Sequence, residues 1–284
     1  MIMKAPDVLN DFWRKQTFVS FDTETTGIWA PANRIVEIGA VKFRPNSDEV
    51  EEFEALVNPE RPIPVEVQEI HGISNDMVQN ADTIGPVLER FVDFIGDDSI
   101  LIAHNALFDI SFVSVEIDRT GINFPENPVL DTVELFRKYY PGLQSYSLLS
   151  ISQELQVART QMHRALDDAR MVTDIFRLVL PRIPGVKSRA KLASRVGVYN
   201  IHSWKEDVGE LPLEMRPLAA AVEGRTRVKI TYQSRDSIPT DRVIRPSQLY
   251  RLGGTLYVNA YCETVQAERT FRLDRILAVA GLVV

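Results

Sequence analysis

The segment FVSFDTETTG, residues 18–27, sets the tightest limit on how this chain can fold. It opens as an apolar β-type run and then places Asp22 and Glu24 two residues apart, so that on a strand both carboxylates leave the same face. Like charges so placed repel, and half-buried acids are costly unless they are paired. No Lys or Arg lies close by in sequence to pair with them. A divalent cation that favours hard oxygen ligands, magnesium or manganese, is the natural counter-charge.

Two further acids stand where apolar residues belong. Between Arg164 and Leu180, Ala165, Val172, Ile175 and Val179 form an apolar stripe, and Asp168 completes its helical spacing. The adjacent Asp167 falls off the stripe and reads as surface. In HNALFDISFV, Asp109 leads Phe112 and Val113 by three and four residues, beside the helix face that would pack on a sheet. His163 precedes Asp168 by five residues, which on one continuous helix would separate the two by about 140°. The imidazole therefore approaches the acids only if His163 lies just before the helix, on irregular backbone. Placed there, a neutral histidine can accept a proton from water near its own pKa.

The order of elements frames these residues. Phe18–Thr23, Arg34–Phe43 and Glu51–Val57 read as a strand meander. Ile84–Ile95 then reads as an amphipathic helix, Ser99–His104 as a strand, Leu107–Arg119 as a helix, Val129–Thr132 as a strand and Val133–Tyr139 as a helix. This alternation predicts an α/β layer. The last helix stops before Pro181, with Pro184 and Gly185 following, which predicts a domain boundary after residue 180.

FDTETTG, HNALFD and HRALDDA, in that order, resemble the three signature motifs of the DEDDh exonucleases, over roughly residues 17–180. The resemblance implies an RNase H-like mixed sheet flanked by helices. It also implies a 3′-to-5′ exonuclease with a two-metal site for Mg2+ or Mn2+, in which Asp22, Glu24, Asp109 and Asp168 hold the ions and His163 is the general base. Thr25 and His71, the latter in EIHGIS, would face the 3′-terminal nucleotide on the same grounds.

The net charge of −7 hides a polarity. Residues 1–180 carry −14 and residues 181–284 carry +7, a division suited to handling a polyanion. From 182 to 195 there are five basic residues and no acidic one, which predicts a basic linker over 181–212 able to touch phosphates. The single cysteine, Cys262, excludes an internal disulfide and any multi-cysteine zinc site, and it reads as a small buried hydrophobe. No stretch approaches the roughly 20 apolar residues of a membrane span. A cytoplasmic protein without a membrane partner is expected.

Beyond Glu223 about six short β-type runs follow, among them Arg242–Ile244, Gln248–Leu252 and Thr255–Cys262, with Gly253 and Gly254 as a hairpin turn. So many short strands bury their apolar faces by curling into a small barrel. RTRVKITYQSR, DRVIRPSQLYRLGGTLYVNAYC and ERTFRLDRI resemble a WYL domain, a small Sm-like or SH3-like β-barrel, over 213–284. Of the name-giving tripeptide only Tyr257 is kept. Arg242, Arg245, Arg269 and Arg272 are expected to converge there, with Tyr257, on a nucleic acid or nucleotide-like ligand. No helix-turn-helix reader or polymerase tether is evident, so a repair, RNA-processing or defence nuclease is expected. The reading is an exonuclease releasing nucleoside 5′-monophosphates from single-stranded nucleic acid, with DNA favoured. A 3′-to-5′ exoribonuclease and a non-catalytic nucleic-acid sensor are the alternatives, and protein partners stay open.

Overall fold

The computed structural model describes residues 11–157, 163–184, 186–193, 195–202, 210–234, 238–252 and 255–281. Two compact units emerge, Met1–His202 and Ser203–Val284.

In the first unit the elements run α1 (Asp11–Lys15), β1 (Phe18–Thr25), β2 (Ile35–Phe43), β3 (Val50–Leu56), α2 (Val65–His71), α3 (Asn75–Val78), α4 (Ile84–Ile95), β4 (Ile100–Ala103) and α5 (Leu107–Thr120). They continue with β5 (Pro128–Asp131), α6 (Thr132–Tyr139), α7 (Leu148–Glu154), α8 (Ala165–Val179), α9 (Arg189–Ala193) and β6 (Val198–Asn200). One mixed sheet is ordered β3-β2-β1-β4-β5-β6. The meander is antiparallel, β4 and β5 are parallel to β1, and β6 closes the far edge antiparallel to β5.

Alternation along β1 sorts its side chains onto two faces. Phe18 meets Phe176 of α8 at 5.0 Å between ring centres, and Ser20 Oγ donates to the Ala169 carbonyl of α8 at 2.8 Å. On the opposite face Phe21 packs on Phe91 of α4, whose inward stripe is Val87, Leu88, Phe91 and Ile95. The sheet is thus covered by helices on both sides, as the α/β reading expects.

The stretch after residue 180 departs from the expected linker. Ile183, Val186, Leu192, Val196 and Ile201 are all buried, and β6 adds a strand to the sheet. Arg182 stacks over the Tyr140 ring and Arg189 donates to the Asp98 carbonyl. The basic residues predict a linker able to touch phosphates, but the apolar residues interleaved with them are buried within the first unit.

The second unit holds α10 (Arg216–Gly224) and five antiparallel strands: β7 (Val228–Tyr232), β8 (Thr240–Leu252), β9 (Thr255–Cys262), β10 (Ala267–Arg272) and β11 (Ile276–Gly281). The order is β10-β9-β8-β7-β11. Arg242–Ile244 and Gln248–Leu252 are one strand rather than two, because an irregularity between Pro246 and Gln248 absorbs the proline without ending the pairing with β9. Gly253 and Gly254 lie outside the described residues. Val228, Ile230, Ile244, Val258, Ala260, Cys262 and Phe271 fill the core with Leu218 of α10. Cys262 is a buried free thiol, as its sequence context suggested.

Candidate active site

The carboxylates gather at the end of β1 where its neighbour stops. β4 pairs with β1 only at Phe18, Val19 and Ser20, so Asp22 and Glu24 extend past the last parallel partner. Both project from the face covered by α8. The first turn of that helix supplies Asp168, whose N–H bonds the Arg164 carbonyl at 3.0 Å. Carboxylate oxygens of Asp22, Glu24 and Asp168 all lie within 4.8 Å of one another.

Asp109 comes from the first turn of α5, on the other side of β1. Its Oδ1 accepts from Thr23 N at 2.9 Å and from Thr23 Oγ1 at 2.8 Å, and the side chain is buried. It is not among the three clustered acids, but its charge acts on Asp22. The rest of HNALFD orients this turn. His104 bridges Thr132 Oγ1 at 2.8 Å and the Tyr146 carbonyl at 3.0 Å, and burial pushes its pKa down to about 4. Asn105, left-handed at φ 61°, donates its N–H to Asp131 Oδ1.

The electrostatics show strain that a cation would relieve. Burial, then the charges of Asp109, Glu24 and Asp168, hold Asp22 well above the usual carboxylate range. Burial and the neighbouring acids push Glu24 to about 8. Asp109 is raised to about 7 by burial, against the Thr23 hydrogen bonds, and Asp168 to about 6 by burial, against the charge of His163. Asp168 Oδ1 is buried without a hydrogen-bond partner among the described residues. An all-oxygen donor set with an orphaned, buried carboxylate oxygen fits a hard divalent cation.

His163 stands two residues before α8, exposed, with a left-handed backbone at φ 62°. That irregular geometry is the condition the sequence spacing demanded. His71, at the end of α2, is buried, and its Nδ1 accepts from Ile73 N at 2.9 Å. An accepting Nδ1 places the ring proton on Nε2, which makes no hydrogen bond of full geometry among the described residues. Burial lowers the pKa of this ring from its usual value, opposed by the charge of Glu37 and the Thr25 backbone. Thr25 is buried with its Oγ1 turned to the Gly27 carbonyl, the turn-capping arrangement.

Glu37 and Arg164 escaped the sequence reading. Glu37 is a fully buried acid in the apolar run IVEIGAV, opposite Glu24 in the ladder. Its signal was the same one that exposed Asp168, a charge on a core-facing position.

In the second unit the arginines do not all share one face. The pairings put Tyr257, Asn259, Thr270, Arg272, Tyr261 and Arg245 on one side of the curled sheet, whereas Arg242 and Arg269 follow the parity of the core residues Ile230 and Ala260. Arg272 is held by Asp274 through two hydrogen bonds, and Arg245 is held by Glu263 at 2.7 Å. The expected four-arginine convergence is replaced by a face of two arginines and two tyrosines, because the strand register alternates.

Comparison with known proteins places the chain in a family. The Exonuclease family matches residues 19–176, and the chain belongs to that family. The WYL domain family matches residues 214–280. The chain is 39% identical over 179 residues to the DNA polymerase III PolC-type protein of Caldanaerobacter subterraneus, covering 62% of this chain and 13% of that protein. It is 38% identical over 170 residues to the 3′-5′ exonuclease DinG of Bacillus subtilis, covering 60% of this chain and 18% of the relative. The chain therefore spans less than a fifth of either relative's length. Among solved structures, the nuclease domain of 3′hExo, a DEDDh family member bound to rAMP, superimposes with a TM-score of 0.53 at 17% identity, over 67% of this chain and 98% of that one. At that identity the likeness is one of fold. No helix among the described residues is long and apolar enough to cross a membrane.

Proposed function

We propose that this chain is a metal-dependent 3′-to-5′ exonuclease that releases nucleoside 5′-monophosphates from single-stranded nucleic acid, DNA in preference to RNA. The convergence of Asp22, Glu24 and Asp168, with His163 on the backbone just ahead of Asp168, carries the reading. Asp22, Glu24, Asp109 and Asp168 would hold two divalent cations, Mg2+ or Mn2+. Such ions, when bound, neutralise phosphate charge, acidify water and steady a leaving oxygen.

The chain's own residues supply the rest. A ring nitrogen of His163 accepts the proton of the attacking water, and the exposure of this residue lets the proton pass on to solvent. His71 offers its buried Nε2–H to the terminal nucleotide, with Thr25 shaping the adjacent turn. In the second unit Arg245, Arg272 and Tyr257 share the face that would meet a nucleic acid or nucleotide-like ligand, a phosphate displacing Glu263 or Asp274 from its arginine.

The test offers 5′-labelled single- and double-stranded DNA and RNA with Mg2+ or Mn2+. Asp22→Asn should lose both Mn2+ binding and turnover, whereas His163→Ala should keep Mn2+ binding and lose most of the rate. The reverse pattern refutes the assignment, and preferential decay of the RNA substrates overturns the preference for DNA.

A further inference from the structure

One buried charge has no part in the chemistry above. Glu37 is the third residue of β2, fully buried and directly opposite Glu24. A carboxylate there is costly unless it is paired and fully hydrogen-bonded. Its partners among the described residues all come from the start of α8. Arg164 Nε donates to both oxygens at 3.1 Å, Arg164 Nη2 donates to Oε1, and the Ala165 N–H donates to Oε2 at 2.9 Å. Arg164 Nη2 also reaches Glu54 of β3 at 3.3 Å.

The next residue on the same face of β2 is Gly39. A Cβ added there would stand 2.1 Å from Leu166 N and 2.2 Å from the Ala165 carbonyl carbon. One face of β2 thus offers a charged clamp and then a socket, and both take hold of the same helical turn. His163 is the residue immediately before the clamp. Its left-handed backbone persists only where its surroundings impose it. On the other side of the clamp, the bond from Asp168 N to the Arg164 carbonyl ties the carboxylate to the anchored residue.

We propose that Glu37 is a positioning residue for the hydrolysis: through Arg164 and the Ala165 N–H it bolts the start of α8 to β2, and so sets where His163 stands relative to the carboxylates of Asp22 and Glu24. This rests on the exonuclease reading, and its test separates the two.

The full chain is compared with Glu37→Gln, Arg164→Met and Arg164→Lys in two assays. The first is steady-state hydrolysis of a labelled oligonucleotide with Mn2+. The second is the paramagnetic broadening by Mn2+ of histidine ring signals in NMR, the His163 signal being identified by its loss in His163→Ala. Glu37→Gln and Arg164→Met should lower kcat about tenfold to a hundredfold while KM and Mn2+ affinity stay within about twofold. Broadening of the His163 signal should weaken in both, and Arg164→Lys should recover part of each loss. Should Glu37→Gln fail to fold, the two Arg164 variants decide, since that side chain is partly exposed. An unchanged kcat in Arg164→Met, or losses of Mn2+ affinity and thermal stability in step with kcat, would reduce Glu37 to an ordinary structural pair. If the wild-type chain degrades no substrate, the exonuclease reading fails; the broadening still decides, because an unaltered His163 signal in Arg164→Met overturns the positioning role and a weakened one supports it.

Discussion

A single methyl group at Gly39 should disable the site without touching any ligand. The Cβ of Gly39→Ala would lie 2.1 Å from Leu166 N, and ordinary contact begins at 3.4 Å, so the first turn of α8 must withdraw by about 1.3 Å. The atoms met are backbone, which cannot swing aside as a side chain would. Asp168 sits in that turn and His163 just ahead of it, so both move away from Asp22 and Glu24. Misplacement on the order of 1 Å costs about a hundredfold in rate, and the overpacking itself about 1–3 kcal/mol. In a unit of this size that is about 2–12 °C in Tm. The matched control is Gly85→Ala at the start of α4, where an added Cβ meets nothing nearer than 4.0 Å. Oligonucleotide hydrolysis and scanning calorimetry on the two variants read the difference. Wild-type rate and Tm in Gly39→Ala would show that α8 does not rest on this strand as closely as described.

Other outcomes follow from the same geometry. Glu24, Asp109 and Asp168 have folded-state values of about 8, about 7 and about 6, each raised chiefly by burial. The metal-free folded chain then binds more protons than the unfolded one, so its stability should fall as pH rises from about 5 to about 8. Mn2+ should accordingly raise Tm more at the upper end of that window, and calorimetry showing an equal gain throughout would contradict the cluster. Truncation after residue 180 removes Ile183, Val186, Leu192, Val196 and Ile201 from the core, at about 1.5–3 kcal/mol for each buried side chain. Residues 1–202 should therefore give a cooperative unfolding transition where 1–180 gives none. Tyr257→Ala should weaken single-strand binding by about 1–3 kcal/mol if a base stacks there, and unchanged binding in a fluorescence titration removes that residue from the ligand face.

The acids were legible in the sequence because local periodicity exposes a charge that violates it. Two residues on one strand face, and one residue in an apolar helical stripe, are statements about period 2 and period 3.6 alone. The same arithmetic required His163 to stand off the helix, and it also produced the strand meander and the alternation after it. What it could not produce was anything that depends on which elements lie side by side. Glu37 acquires a role only when α8 crosses β2, 127 residues away in sequence. Val198–Asn200 became part of the sheet only because β5 left an edge to pair with. The arginines of the second unit were sorted onto different faces by a register that no single strand contains. Charge and periodicity are local properties that a strand or helix carries into any fold; adjacency between distant segments is fixed only by how those elements pack.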